Sequence, residues 1–219
     1  MKPTAVSPET LSRDWTQQLR EGLARMHIDL SDDQRQRLVD YLLLLYKWNR
    51  VYNLTAVREP AHMVSRQLLD SLSILPWVEG PRVLDVGCGA GLPGIPLAIA
   101  LPDLQFTLLD ANGKKTRFVQ QVAGELGLGN VTVVQARVEQ LQDDAGFNTI
   151  TSRAFAELHQ MIDLTAHLLA RGGRWAAMKA GLEELDESRL PPGTRCAAHE
   201  LQVPGESGVR HLVLVSQDA

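Results

Sequence analysis

The chain has 219 residues, 44 % hydrophobic and 22 % charged, with a formal net charge of -4. This composition suits one globular domain with an extension and excludes a disordered or fibrous chain. A mildly acidic total also excludes polyanion binding through overall charge, though not through a local basic patch.

Residues 1–8 read as a frayed tail without the apolar segment of a secretory signal. Over 9–27, Leu11, Trp15, Leu19, Leu23 and Met26 recur at helical spacing. Ser31 followed by Asp32, Asp33 and Gln34 is a capping-box pattern, and Leu38, Leu42, Leu45 and Tyr46 carry a second helix to about Trp48. The stretch NRVYNLTAVRE reads as irregular. Pro60 opens a third helix running to about Leu75, where Pro76 stops it. The apolar run LVDYLLLLYKW is too short and too charged to span a membrane.

The pattern then changes to short β-type runs alternating with helical ones. Strands are expected over 82–86, 105–110, 131–135, 147–152 and 174–179. Helices are expected near 92–101, 113–126, 137–142 and 156–170, with Gly127, Gly129, Gly172 and Gly173 at helix ends. Such alternation predicts right-handed βαβ units and a parallel sheet covered on both faces. Residues 197–203 and 209–215 flank PGESG and read as an antiparallel hairpin closing the sheet. The expected organisation is therefore a helical extension over 1–80 and an α/β doubly wound core over 81–219.

The first strand runs into VLDVGCGAGLPG, with Asp85, Gly87, Gly89 and Gly91 at alternate positions. A glycine-rich turn after a parallel strand is a nucleotide-site arrangement, since absent side chains let the backbone approach a ligand. GAGLPG fits the dinucleotide fingerprint, which would set a pyrophosphate on the helix N-terminus. The longer string beginning at Asp85 resembles the first motif of class I S-adenosylmethionine-dependent methyltransferases. An acid beside the loop suits a cationic ligand and repels phosphate. Asp110 ends the second strand, where a carboxylate either accepts both ribose hydroxyls of an adenosine or simply stabilises a helix N-terminus. The closing hairpin favours the methyltransferase reading.

Three stretches, KWNRVYNLTAVRE (47–59), LDVGCGAGLPGIPLA (84–98) and FNTITSRAFA (147–156), together with LLDANGKKTRF (109–118), make the chain similar to the RsmG (GidB) family. These are bacterial small-subunit ribosomal RNA guanine-N7 methyltransferases, and the similarity spans about residues 10 to 215. The resemblance implies S-adenosylmethionine contacts at Gly87, Leu92, Val138, Glu139 and Arg153. It also implies that Asn53, Arg66 and Asp70 lie toward the substrate, 16S ribosomal RNA in the small subunit. The family usually carries histidine in the segment that reads RQLLDS here, with Gln67 in its place.

The chemistry is consistent with this. Guanine N7 has a free lone pair and no proton to remove, so orientation and electrostatics suffice. The sequence offers no nucleophile–base pair and no metal cluster. Cys88 sits in the glycine loop and is expected to face the cofactor side. Arg153, with Asn53 and Arg66 the expected catalytic set, is assigned to positioning, because a cation at the reacting centre disfavours a purine becoming positive. Its alternative is to neutralise Glu157 or another acid. Arg66 and Asp70 either face substrate or form an i,i+4 pair, and Asn53 either bonds a guanine edge or caps a helix. Lys47, Arg50, Arg58 and Arg66 with interleaved aromatics form one RNA-facing cluster, and Lys114 and Lys115 a second. Core packing and a solvated helix turn are the competing readings.

The two cysteines, Cys88 and Cys196, suit a reducing compartment, and with no signal or membrane-length segment read, the cytoplasm is the expected location. A monomer without metal or membrane attachment is expected as well, although spacing and composition do not themselves give the oligomeric state. Three other functions remain open: a methyltransferase for another RNA or a small molecule, an NAD-dependent oxidoreductase, and a non-catalytic RNA-binding subunit.

Overall fold

The structure is a computed structural model and describes residues 7–183 and 185–217; the expected tail falls mostly on residues 1–6, outside this range. Seven strands form one sheet in the order β3-β2-β1-β4-β5-β7-β6. They are β1 (Arg82–Val86), β2 (Gln105–Asp110), β3 (Val131–Gln135), β4 (Phe147–Arg153), β5 (Leu169–Lys179), β6 (Thr194–Leu201) and β7 (Arg210–Gln217). The first five are parallel. β7 pairs antiparallel to both β5 and β6, which inserts the closing hairpin into the sheet edge. Strand order reverses between β1 and β4, and ligands in such sheets collect beyond the strand C-termini at that switch point.

Two helices open the chain, α1 (Pro8–Arg25) and α2 (Asp32–Tyr52). Ser31 and Gln34 form the expected capping box, and Gln34 Nε2 also donates to Ile99 O and Ala100 O, tying α2 to the core. Leu11, Trp15, Leu19 and Leu23 bury one stripe of α1, and Trp15 Nε1 donates to Pro60 O at 3.0 Å. Trp15 is 1 % exposed, so truncation should leave both a large void and an unpaired carbonyl. We expect Trp15→Ala to cost about 3–5 kcal/mol, read as a lowered midpoint in urea unfolding.

The opening helices join β1, β2, α4 (Gly94–Ala100) and α5 (Gly113–Glu125) in one apolar cluster on one sheet face; α6 (Leu158–Thr165) covers the other. Among the described residues no helix is long and apolar enough to cross a membrane.

Four local expectations are corrected. First, α2 continues through Tyr52 instead of ending at Trp48, because no glycine or proline interrupts NRVY; Asn53, left-handed at φ 49°, ends it. Second, the third helix is composite: a 3-10 turn Pro60–His62, a π-helical stretch Val64–Leu69, and a single turn α3 (Asp70–Leu72). The Asp70 N–H reaches Ser65 O, five residues back. A π turn keeps nearly the same face as an α turn, so hydrophobic spacing does not reveal it. Third, Pro76 sits within a 3-10 turn, Leu75–Trp77. Fourth, Gly172 and Gly173 lie inside β5, not at a helix end. Gly172 has φ 73° and the β4–β5 register shifts between Phe147 and Thr149. This irregularity lets β5 start at Leu169, so the helix expected to 170 stops at Thr165 with one 3-10 turn after it.

Candidate functional site

At the C-terminal edge of the sheet two cavities lie side by side. One, of about 360 Å³, is lined by Gly87, Leu109, Asp110, Lys115, Val138 and Glu139 among others; the other, of about 470 Å³, by Thr55, Val57, Arg66, Gln67, Asp70, Arg153, Lys179, Arg210 and His211. Ala154 borders both. It follows the last residue of β4 and has φ 54°, uncommon for a residue with a Cβ, so the chain turns sharply between the two cavities.

The glycine loop packs chiefly against the protein itself. Gly87, Gly89 and Gly91 all have positive φ, at 69°, 59° and 86°. A Cβ on Gly87 would collide with the Phe155 ring, and one on Gly91 would sit 2.6 Å from Ile95 Cγ1. Only Gly87 of the three lines the smaller cavity. The loop's N–H groups are also engaged internally. Gly87 and Cys88 donate to Leu109 O at 2.8 and 3.0 Å, Gly91 and Leu92 to Cys88 O at 2.8 and 2.9 Å, and Gly89 to Asp110 Oδ2 at 2.9 Å.

Asp85 differs most from expectation. Strand alternation points it, like Val83, toward the α4 side, where it is fully buried and lines neither cavity. Its Oδ2 accepts the Gly94 N–H at 2.8 Å, and Oδ1 has no hydrogen-bond partner. It therefore braces the N-terminus of α4 from inside. Burial pushes its carboxyl up to about 7, against the opposing pull of the Gly94 N–H and Arg153. In the unfolded chain a carboxyl titrates near 3.9. The folded state thus binds the extra proton between about pH 4 and 7, and this contribution to stability is lost as pH rises through that window. Asp85→Asn cannot titrate, so thermal melts should show the variant gaining on the parent between pH 5 and 7 and holding a constant offset above.

Asp110 lines the smaller cavity. Its carboxylate also accepts from Asn112 N at 2.8 Å, and Lys115 Nζ is 3.8 Å away. Val138, Ala136, Leu109 and Ala111 add apolar wall, with Glu139 beside them. A pyrophosphate would compete for loop N–H groups of Gly87, Cys88, Gly89, Gly91 and Leu92 that are already bonded, and for a helix end whose Gly94 N–H already donates to Asp85. An adenosine carrying a cationic group suits the same walls: apolar surface for the ring and a carboxylate for the ribose.

Of the expected cofactor contacts, the structure brings together Gly87, Asp110, Val138 and Glu139 at this cavity. Leu92 is 4 % exposed and buried in the core. Cys88 is likewise a core thiol, 1 % exposed, rather than cofactor-facing, and burial raises its pKa well above the usual range. Lys115, expected on the substrate side, lines the smaller cavity, and Lys114 is exposed at neither.

Arg153 enters the larger cavity. Along β4 it shares the face of Thr149 and Thr151, toward the opening helices, so it meets the π stretch. Its Nη1 donates to Asp70 Oδ2 at 2.9 Å and to Arg66 O at 2.8 Å, and its Nη2 to Gln67 Oε1 at 2.7 Å. Asp70, not Glu157, is its counter-ion. Arg66 Nε instead donates to both carboxylate oxygens of Glu206 at 3.2 Å, so no Arg66–Asp70 pair forms. Arg210 bridges Asp70 and Glu206 at 3.6 and 3.8 Å. Four cationic side chains, Arg66, Arg153, Lys179 and Arg210, line this cavity against one carboxylate. Asn53 does not reach it; exposed at the end of α2, it accepts from Arg58 Nη2 at 2.8 Å.

Sequence reasoning passed over several residues that shape the site. Tyr41 donates its buried hydroxyl to Ala90 O at 2.9 Å, bracing the glycine loop from α2; a tyrosine on the apolar stripe is the signal, since its hydroxyl needs a partner. Lys179 donates to Ala156 O at 2.7 Å, holding the turn between the cavities. Arg210 and His211 arrive from β7, which no local motif announces. Among the described residues no group of His, Cys, Asp and Glu is arranged to hold a metal ion.

The family model described as rRNA small subunit methyltransferase G matches residues 34–213. Proteins named Ribosomal RNA small subunit methyltransferase G are similar over nearly the whole chain. That of Marinobacter nauticus is 53 % identical over 204 residues, covering 93 % of this chain and 95 % of its own length. That of Stutzerimonas stutzeri is 52 % identical over 209 residues, covering 94 % and 97 %. Among solved structures, a SAM-dependent methyltransferase from Aquifex aeolicus aligns with TM-score 0.55 and 17 % identity, covering 74 % of this chain and 96 % of its own. The Precorrin-6y C5,15-methyltransferase of Geobacter metallireducens aligns with TM-score 0.51 and 16 % identity, covering 76 % and 92 %. These structural likenesses establish the class I methyltransferase fold.

Proposed function

Because this chain belongs to the rRNA small subunit methyltransferase G family, we propose that it moves the methyl group of S-adenosylmethionine onto N7 of a guanine in 16S ribosomal RNA. The enzyme is a small-subunit ribosomal RNA methyltransferase; the cofactor's seat, the nucleotide atom and the residue roles are our reading. The cofactor supplies the electrophilic methyl. In the smaller cavity Asp110 would hold the ribose, and Val138 and Glu139 would flank the adenine ring. The base enters the larger cavity, and the two meet at Ala154.

The observation that carries this reading is the shared wall. A cavity with apolar walls, two carboxylates (Asp110, Glu139) and two cations (Lys115, Arg137) adjoins one lined by four cations and one carboxylate, with Ala154 common to both; this adjacency would let a methyl donor and a base held by phosphate contacts approach each other. Guanine N7 attacks without a general base. The chain's contribution is to orient the two reactants and exclude water. Arg153 fits this scheme as a positioning group, because Asp70 balances its charge beside a purine that becomes positive. The engagement of five loop N–H groups, those of Gly87, Cys88, Gly89, Gly91 and Leu92, disfavours the dinucleotide alternative. The cytoplasm, where small subunits are assembled, is the matching compartment.

Small ribosomal subunits from cells lacking the gene provide the test. Purified protein should transfer one labelled methyl per subunit, at a guanine that becomes cleavable by the chemistry specific to 7-methylguanosine. Transfer only to small molecules, or to another atom of the base, would refute the assignment.

A further inference from the structure

We infer that Gln67 is the positioning residue that fixes the plane of Arg153 over the base cavity; this rests on the reading of that cavity given above. Gln67 is fully buried on the π-helical stretch. Its Oε1 accepts from Arg153 Nη2 at 2.7 Å, and its Nε2 donates to Thr55 Oγ1 at 2.9 Å. The assignment of the amide follows from its partners, since a guanidinium can only donate.

The bonds continue away from Arg153. Thr55 N donates to Asn49 Oδ1 at 2.9 Å, Asn49 Nδ2 to Val57 O at 3.3 Å, and Val57 N to Thr55 Oγ1 at 3.2 Å. Gln67 is therefore the link between Arg153 and the 55–57 wall of the same cavity. The contacts of Nη1, to Asp70 Oδ2 and Arg66 O, hold only one corner of the guanidinium and leave it able to tilt. The third bond, at the other terminal nitrogen, defines the plane. Three of the five guanidinium N–H groups are then engaged, and the remaining two have a set direction for an acceptor on the base or its phosphate. The π register makes this possible. It places the Arg66 carbonyl, the Gln67 amide and the Asp70 carboxylate on the side facing β4. Asp70 is the counter-ion in this arrangement, and Gln67 supplies direction without charge.

A double-mutant cycle tests the inference. Gln67→Leu keeps the buried volume and removes both bonds. We expect methyl transfer to small subunits to fall about 10–50-fold in kcat, as displacement of a positioned group does, with the KM for S-adenosylmethionine within twofold. In an Arg153→Met background the same change should have no further effect, because its target is gone. Multiplying losses in the double variant would overturn the inference, as would a single variant at parental kcat.

Nitrogen-15 NMR of the Arg153 side chain reads the same question without activity. The Nη resonances should be resolved in the parent and merge in Gln67→Leu as the guanidinium rotates freely; unchanged resonances would overturn the inference. Should Gln67→Leu fail to fold, Gln67→Met replaces it with the same expectations. A parent enzyme that transfers no methyl to small subunits counts against the proposed function, and the NMR comparison then decides the role of Gln67 alone.

Discussion

Asp70→Asn should lower kcat for methyl transfer by about two orders of magnitude, with affinity for S-adenosylhomocysteine changed less than threefold. Asp70 lines only the larger cavity, and its carboxylate is 2.9 Å from Arg153 Nη1 and 3.6 Å from Arg210 Nε. The amide keeps the shape and one acceptor but removes the charge. Arg66 and Arg210 would keep Glu206, and Arg153 would have no carboxylate partner. As the methyl moves, positive charge passes from sulfur to the purine, and an unbalanced Arg153 beside it raises the barrier. Side-chain exposures of 8 % for Asp70 and 22 % for Arg153 mean that water screens the pair poorly. Some stability is lost as well, so single-turnover rates on folded protein, with binding measured separately, are the right readout. A variant with parental single-turnover rate would show that the charge balance has no catalytic role.

Asp110→Ala should instead act on cofactor binding, raising the Kd for S-adenosylhomocysteine about 100-fold or more in calorimetry. Two effects combine. The ribose loses a charged acceptor, at about 1.5–3 kcal/mol for such a hydrogen bond, and each 1.4 kcal/mol is tenfold in Kd. The loop also loses its tether, because Asp110 Oδ2 takes the Gly89 N–H and Oδ1 the Asn112 N–H. Lys115 is left without the carboxylate 3.8 Å away. Asp110→Asn, which keeps acceptor oxygen but not charge, should fall between the two. Equal affinity in all three proteins would remove Asp110 from the cofactor site.

The contrast between these two acids shows how far motif reading reaches. Both lie at or near the ends of parallel strands beside the glycine loop, and both read as cofactor contacts, Asp85 for a cationic group and Asp110 for a ribose. Alternation along β1 sends Asp85 under α4, where its carboxyl is fully buried and raised to about 7, whereas Asp110 reaches the cavity edge. The motif marks the glycine turn between β1 and α4, but not that Asp85 turns away from the cavity beside it. The three glycines show the same limit: the sequence marks where side chains are excluded, but not that Phe155 and Ile95, as well as any ligand, exclude them.

The order of strands and helices, the closing hairpin, the two opening helices and the capping box of the second were legible because each depends on spacing within a few residues; the Ser7 cap of the first helix, read as part of the tail, was not. The family was legible because its motifs are contiguous. The larger cavity was not. It is built from the 55–57 loop, the π stretch at 64–69, the end of β4 and the start of β7, segments up to about 150 residues apart. Pairings such as Arg153 with Asp70 and Gln67, and Arg66 with Glu206, arise only when the sheet order and the packing of the opening helices bring those segments together, as does the place of Lys115, paired with Asp110, at the smaller cavity. Local sequence fixes backbone periodicity and turn chemistry; the partner of a long charged side chain depends on which distant element folds against it.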